Sequence, residues 1–165
     1  MTIEIGHNID QVYTSAQLEE GNTPSVGDIV WDRGKAYKFV LYAEGTGALD
    51  LVAGDVVYYV DDTGYGASTV TADVSDSTGA EIGAGVAVTT VDTDATYFWI
   101  QIKGAATLAV ALGGSAGDGH PLTATAAADK ALTKAAEADT AATYVHVCAV
   151  AVDATAKEII CDFPF

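Results

Sequence analysis

The residues best suited to chemistry lie in Gly113-Gly114-Ser115-Ala116-Gly117, which fits the G-x-S-x-G form of a nucleophile elbow and is followed by Asp118 and His120. Such an elbow needs a sharp strand-to-helix turn to present its serine, and triad partners brought in from distant loops. Here Asp118-Gly119-His120-Pro121 follows directly and cannot continue as a helix, so the segment reads as a flexible Gly-rich loop. The three histidines, His7, His120 and His146, are far apart in the chain. His146 and Cys148, one residue apart on a strand, would share a face, and Cys161 opposite them would make a three-ligand cluster. A packed hairpin with buried thiols accounts for the same residues and is preferred. Opposed cysteines could also form a disulfide, but cytoplasmic synthesis keeps thiols reduced and a directly cross-strand bridge is geometrically demanding, so free thiols are expected. Asp61-Asp62 and Asp92-Thr93-Asp94 could meet a cation, yet a dedicated calcium loop places more oxygens, and solvated turns are the simpler reading. No dinucleotide-binding glycine motif, P-loop, zinc-protease H-E-x-x-H or EF-hand loop occurs. No catalytic residue, cofactor or metal is expected, and the chain is not expected to be an enzyme.

The elements that must hold these residues are short apolar runs, alternating or apolar on both faces, punctuated by Gly, Asp, Asn and Thr, which is the pattern of an all-β domain. Strands are expected at Ile29–Trp31, Ala36–Tyr42, Val56–Val60, Ser68–Ala72, Gly85–Thr89, Thr96–Lys103, Ala105–Ala111, Pro121–Thr125, Tyr144–Val152 and Lys157–Phe163. Turns are expected at Glu44-Gly45-Thr46-Gly47 and Asp61-Asp62-Thr63-Gly64, where glycine accepts positive φ. A Gly-Asp pair opens a strand three times, at Gly27-Asp28, Gly54-Asp55 and Gly117-Asp118. We read it as turn chemistry, with the Asp side chain bonding a backbone amide two residues on. Residues 1–25 are polar and lack a strand pattern from Gln11 to Ser25, which suggests an N-terminal arm or edge segment before a β domain at 26–165. The Ala- and Thr-rich stretch Ala124–Ala142 has no amphipathic stripe, and a hairpin turning near Ala128-Asp129-Lys130 is preferred to a helix. At the C-terminus a four-residue loop, Asp153-Ala154-Thr155-Ala156, would pair Val152 with Lys157, Val150 with Ile159, Cys148 with Cys161 and His146 with Phe163 on one face, with Val145, Val147 and Ala149 on the other.

With 165 residues the chain has the size of one domain. Half of it is apolar, but much of that is Ala, so tight packing of small groups is implied. There is no uninterrupted apolar run long enough to span a bilayer and no basic and apolar leader at Met1-Thr2-Ile3-Glu4, so a soluble, cytoplasmically made protein is expected. Seven Lys and Arg against 23 Asp and Glu give a formal charge of −16, which repels phosphate backbones and anionic membranes. Neither nucleic acid nor membrane is an expected partner. No Lys or Arg occurs between Phe39 and Ile102, whereas Asp55, Asp61, Asp62, Asp73, Asp76, Glu81, Asp92 and Asp94 do, so the middle of the chain should present an acidic face.

Four stretches carry a family likeness: Gly85-Val86-Ala87-Val88, Tyr97-Phe98-Trp99-Ile100-Gln101-Ile102-Lys103-Gly104-Ala105-Ala106, Gly117-Asp118-Gly119-His120-Pro121-Leu122, and Val147-Cys148-Ala149-Val150-Ala151-Val152. In this order they resemble bacteriophage capsid decoration (cement) proteins, over roughly Gly27 to Ile160. The resemblance implies a compact antiparallel β-barrel or β-sandwich, jelly-roll-like, usually trimeric, on the outer capsid surface of the virion. There it would bind the major capsid protein and clamp adjacent capsomers. The likeness carries no catalytic residues over, and the acidic middle and polar arm depart from the pattern. Cementing works by burying area against several subunits at once, with Trp31, Tyr58, Tyr59, Tyr97 and Trp99 as candidate capsid or subunit contacts. Large aromatics also bury readily in a core. The alternative is a carbohydrate- or receptor-binding module of a phage head fibre or tail fibre, which would also be all-β, acidic and rich in Gly and Thr. A small hydrolase using Ser115 and His120 is the rival from the enzyme class.

Overall fold

A computed structural model of the chain describes residues 8–21, 23–60, 68–77, 82–125, 127–135 and 146–164. Its strands are β1 (Ile29–Asp32), β2 (Lys35–Tyr42), β3 (Val56–Tyr59), β4 (Thr69–Thr71), β5 (Gly83–Ala87), β6 (Tyr97–Thr107), β7 (Pro121–Thr123), β8 (Thr133–Lys134), β9 (Val147–Asp153) and β10 (Glu158–Asp162), with one short helix, α1 (Ser15–Glu19). The fold is nearly all-β, and five strands close a barrel with further strands packed outside it. The ring runs β2–β4–β3–β5–β6 and closes through β2–β6, with every pair antiparallel except the parallel β2–β4. From β6 the sheet continues through β10, β9 and β7 to β8, and β1 flanks β2. No helix among the described residues is long and apolar enough to cross a membrane.

The long strands β2 and β6 are apolar on both faces, and both have cover on both sides. Along β6, Phe98, Ile100 and Ile102 enter the main core, while Trp99 joins Tyr13, Tyr37 and Phe39 in a second cluster. Alternation puts successive side chains on opposite faces, so β2 divides likewise, Val40 and Tyr42 one way, Tyr37 and Phe39 the other. The second cluster is covered by the N-terminal arm: Ile9 and Leu18 pack on it, and Tyr13 exchanges both backbone hydrogen bonds with Tyr97 at 2.8 Å. Phe39 sits at its centre, edge-on to Tyr13 at 5.5 Å and 5.1 Å from the Trp99 ring centroid. Thr14 and Gln17 form a capping box that starts α1.

Several boundaries differ from those the sequence suggests. The runs expected as separate strands on either side of Gly104 are one strand, β6. Gly104 sits at φ +90°, where a Cβ would lie 2.8 Å from the Gly34 carbonyl oxygen, so only glycine lets β6 pass close to the β1–β2 turn. The β2–β6 register slips there, between Ala36 and Tyr37. The hairpin near Asp129-Lys130 is present: β7 and β8 pair Leu122 with Lys134 and Thr123 with Thr133. The expected turn at Asp61-Asp62-Thr63-Gly64 and residues Tyr144 and Val145 lie outside the described residues, as do His7 and Glu81.

Two of the three Gly-Asp pairs build the same turn. Gly27 and Gly54 have φ of +93° and +95°, Asp28 N–H donates to Ser25 O at 2.9 Å, and Asp55 N–H donates to Val52 O at 3.1 Å. In each the Asp carboxylate reaches back to accept the N–H of the turn's first residue, Ser25 at 2.8 Å and Val52 at 2.9 Å. The bond therefore runs three residues backward, not two forward. Gly117-Asp118 is different: Asp118 accepts from Ala154 N–H at 2.9 Å, tying the loop before β7 to the β9–β10 turn.

Candidate interaction surface

Ser115 lies in a left-handed turn at φ +53°, followed by more turn and not by a helix. His120 Nδ1 accepts the Gly117 N–H at 2.9 Å, and Asp118 faces the Ala154 amide, so both residues nearest Ser115 in sequence are engaged with backbone. Cys148 and Cys161 are buried and free, each pushed up to about 12 by burial, which leaves both as neutral thiols at neutral pH. Among the described residues no group of three His, Cys, Asp or Glu side chains is placed to hold a metal ion.

The acidic middle is largely built into turns. At the barrel end where β2 finishes and β6 begins, Asp94 accepts the Glu44 N–H at 3.0 Å. Asp76 accepts the Thr46 amide and hydroxyl, and Asp73 accepts the Ser75 amide at 2.8 Å. Those bonds hold Asp73 below the usual carboxylate range, led by the Ser75 hydroxyl. Asp55 is buried and lies 3.6 Å from Lys130 Nζ, which also bonds the Asp50 carbonyl. These carboxylates shape an acidic pole by satisfying loop amides.

Of the five aromatics expected as contacts, only Trp31 stands out from the surface, 66 % exposed. Tyr58, Tyr59 and Trp99 are fully buried, and Tyr97 is half-buried against the second cluster. Tyr58 hydroxyl accepts the Ala131 N–H at 2.9 Å and donates to the Ala131 carbonyl at 2.6 Å, pinning the β7–β8 connection to the barrel. Tyr59 hydroxyl donates to Pro164 O at 3.1 Å and accepts from Lys38 Nζ at 3.0 Å, and burial draws the Lys38 ammonium below its ordinary value. These rings are internal ties because each hydroxyl meets a polar group inside the fold.

The exposed apolar surface is elsewhere, and a one-residue difference in register creates it. The β9–β10 turn spans 154–157, not 153–156: Asp153 accepts the Ala156 N–H at 2.8 Å, and Lys157 takes φ +61° inside the turn. Ile160 therefore faces Val150, Cys161 faces Ala149, and the ladder slips between Ile159 and Glu158. The expected pairing of Cys148 with Cys161 and of Val150 with Ile159 does not occur. Cys148, Ala149, Ala151, Ile159, Cys161 and Phe163 point inward, and Val150, Val152 and Ile160 point out, each more than 40 % exposed. Pro121, Val150, Ile160 and Ala105 are direct partners across β7, β9, β10 and β6, and all four are exposed. The inward positions of β9 are small, Cys148, Ala149 and Ala151, and the barrel comes close to this face: a Cβ on Gly83 would lie 3.0 Å from the Phe163 ring and 3.3 Å from Cys148 Sγ. The alternation of Ala149 and Ala151 with Val150 and Val152 is the signal in the sequence, misread when the larger residues are assumed to face in.

Beside this row is a shallow hollow of about 350 Å3 lined by Lys35, Ala105, Thr107, Val152 and Ile160 among others. Among the described residues, six of the eight exposed large hydrophobic side chains lie on β1, β9 and β10: Ile29, Trp31, Val147, Val150, Val152 and Ile160. These features define an all-β protein with a rigid five-strand barrel, an acidic pole, and apolar side chains displayed on regular strands. The chain finds no match among protein-family models, curated proteins or solved structures.

Proposed function

We propose that the chain is a virion structural protein, a decoration (cement) protein that binds the outer surface of an assembled phage head as a homotrimer and stabilises contacts between capsomers of the major capsid protein. The reading is carried by the concentration of exposed apolar side chains on the strands of a rigid β unit, Trp31 on β1 and the Val150–Ile160 row on β9 and β10. Contiguous apolar surface on a water-facing sheet marks a protein contact. Strands hold such a surface in one shape before binding, so little ordering entropy is lost on docking. A charge of −16 favours the outside of a head over its nucleic-acid-filled interior. Modest contacts with several shell subunits add through multivalency and favour the assembled state. The likeness in Tyr97–Ala106 and the closing hairpin supports the same assignment.

The carbohydrate- or receptor-binding alternative draws on Trp31, the one strongly exposed aromatic ring among the described residues. It predicts glycan-dependent changes in Trp31 fluorescence, which the decoration reading does not. The decisive experiment adds purified protein to heads stripped of their decoration. Saturable binding and a higher rupture temperature are expected, and absence of saturable binding to matched heads overturns the assignment.

A further inference from the structure

The ladder between β2 and β6 carries two buried polar side chains whose oxygens the fold leaves unused. Tyr37 and Gln101 are direct partners across it, 5 % and 4 % exposed. Gln101 Nε2 donates to Lys103 O at 3.1 Å and to Ala105 O at 2.9 Å, which fixes the carboxamide. Among the described residues neither Gln101 Oε1 nor the Tyr37 hydroxyl has a hydrogen-bond partner. An unpaired polar atom on so buried a side chain is costly unless something outside the fold takes it up. Both residues line one hollow of about 330 Å3, bounded by the arm at Ile9 and Asp10, the Ala53-Gly54 turn and the far end of β6. Neither oxygen is sealed in the core, so each opens where its residue lines the hollow. Lys35, half-buried, and Asp10, exposed, also line it, and neither belongs to an ion pair among the described residues.

We propose that this hollow is a binding site for a neutral saccharide unit. An apolar ligand would leave the hydroxyl, the carboxamide oxygen and both charges without partners. One cation and one anion cancel, so the hollow selects no net charge. Its floor does not draw an anion either: burial, then the carboxylates of Asp32 and Asp10, holds the Tyr37 hydroxyl above its ordinary range against the opposing pull of Arg33, and the group stays a neutral donor. What fits is a small ligand with several groups that each donate and accept. Neighbouring sugar hydroxyls do this, one accepting from Tyr37 or Lys35 while others donate to Gln101 Oε1 and Asp10. The C–H faces of a sugar ring pack on Ile9, Val88 and Ala106, the apolar part of the lining. The volume is at the lower end of the range of about 300–1,000 Å3 for small-molecule sites. Tyr37 and Gln101 stand on paired strands, so the floor is set before a ligand arrives. Trp31 does not line the hollow, which is therefore distinct from the exposed ring on β1. The proposal goes beyond the decoration reading and does not rest on it.

The test is saturation-transfer NMR and calorimetry on the full chain with glucose, galactose, N-acetylglucosamine and maltose, set against glycine as a zwitterion and inorganic phosphate as an anion. Circular dichroism establishes that each variant is folded. At least one sugar is expected to bind saturably with a dissociation constant of about 1 mM, an affinity within reach of a ligand of about a dozen heavy atoms, and glycine and phosphate are not. Tyr37→Phe removes one oxygen and is expected to weaken binding about fivefold, the worth of one net hydrogen bond. Its Tm should equal that of wild type, because no group within the fold loses a partner. Ala53→Arg, which fills the hollow from an exposed turn position, should abolish binding, and Trp31→Ala should bind as wild type does. Absence of saturable sugar binding overturns the proposal, as does tighter binding of glycine or phosphate. So does binding that survives Tyr37→Phe and Ala53→Arg unchanged, or that is lost in Trp31→Ala. A lower Tm in Tyr37→Phe means that the fold itself uses the hydroxyl, and overturns it as well.

Discussion

Tyr58→Phe isolates one atom of the fold. The Tyr58 hydroxyl is buried on β3 and joins two segments more than seventy residues apart, accepting the Ala131 N–H at 2.9 Å and donating to Ala131 O at 2.6 Å, with Ala128 O at 3.0 Å. Phenylalanine fills the same space, so no cavity opens and only polar bookkeeping changes. Losing a net hydrogen bond costs about 0.5–1.5 kcal/mol, and leaving the buried Ala131 amide without a partner costs about 1–3 kcal/mol more. The expected loss is therefore about 1.5–4.5 kcal/mol, or roughly 3–18 °C in Tm for a domain of this size. Urea unfolding followed by circular dichroism measures it, with the slope m unchanged because the exposed area on unfolding is the same. A loss below about 0.5 kcal/mol would refute the argument that this hydroxyl ties the β7–β8 connection to the barrel.

Three further outcomes follow from the same geometry. Gly54→Ala should destabilise by at least about 1 kcal/mol more than Gly27→Ala in parallel urea titrations, since both glycines hold positive φ but a Cβ at Gly54 meets the Ala109 amide nitrogen at 2.8 Å while one at Gly27 meets only Ser68 Oγ at 3.4 Å. Equal losses would mean that the turn strain alone matters. Both thiols should be silent to a disulfide-exchange reagent at neutral pH in the native protein and react in full in denaturant, because burial raises each to about 12; rapid native reaction of either contradicts their placement. Asp73 is held below the ordinary carboxylate value, so its stabilising contribution is present above that value and lost as pH falls through the lower folded value. The stability gap between wild type and Asp73→Asn should therefore be open at neutral pH and shrink below about pH 4, and parallel urea midpoints across that range would contradict it.

The parts of this fold legible in the sequence are those where one local rule decides. Alternation in Phe98–Ile102 and Val40–Tyr42 marks β6 and β2, and the Gly-Asp pairs at 27–28 and 54–55 mark two turns because only glycine sits easily at positive φ. Gly104 is read as a break because local preference says so, whereas the strand continues through it to clear the Gly34 carbonyl. Which aromatics bind and which bury is not a local property. Tyr58 and Tyr59 lie side by side in an apolar run, and nothing in their neighbours announces that Ala131 and Pro164, far along the chain, will take up their hydroxyls. The arm is polar by composition, yet Ile9, Tyr13 and Leu18 suffice to fasten it because a second aromatic cluster waits on the barrel's outer face.

The candidate surface depends on the least legible feature, the register of β9 against β10. With Lys157 in the strand, Val150 would sit opposite Ile159, and the valines would join the face that carries the cysteines. With Lys157 in the turn, Ile159 goes inward beside the thiols and Val150, Val152 and Ile160 turn to water. Inward placement of the valines would seem the better use of apolar area, at about 1.5–3 kcal/mol for each fully buried side chain. The inner face is already filled, by Ile159, Cys161 and Phe163 from β10 and the residues after it and by Cys148, Ala149 and Ala151 from β9. It is packed closely at Gly83, where a Cβ would lie 3.0 Å from the Phe163 ring and 3.3 Å from Cys148 Sγ. With Ile159 inward, alternation leaves Ile160 on the outer face, and Val150 is its direct partner there. The register of one turn therefore decides which aliphatic side chains fill the core and which stand in water.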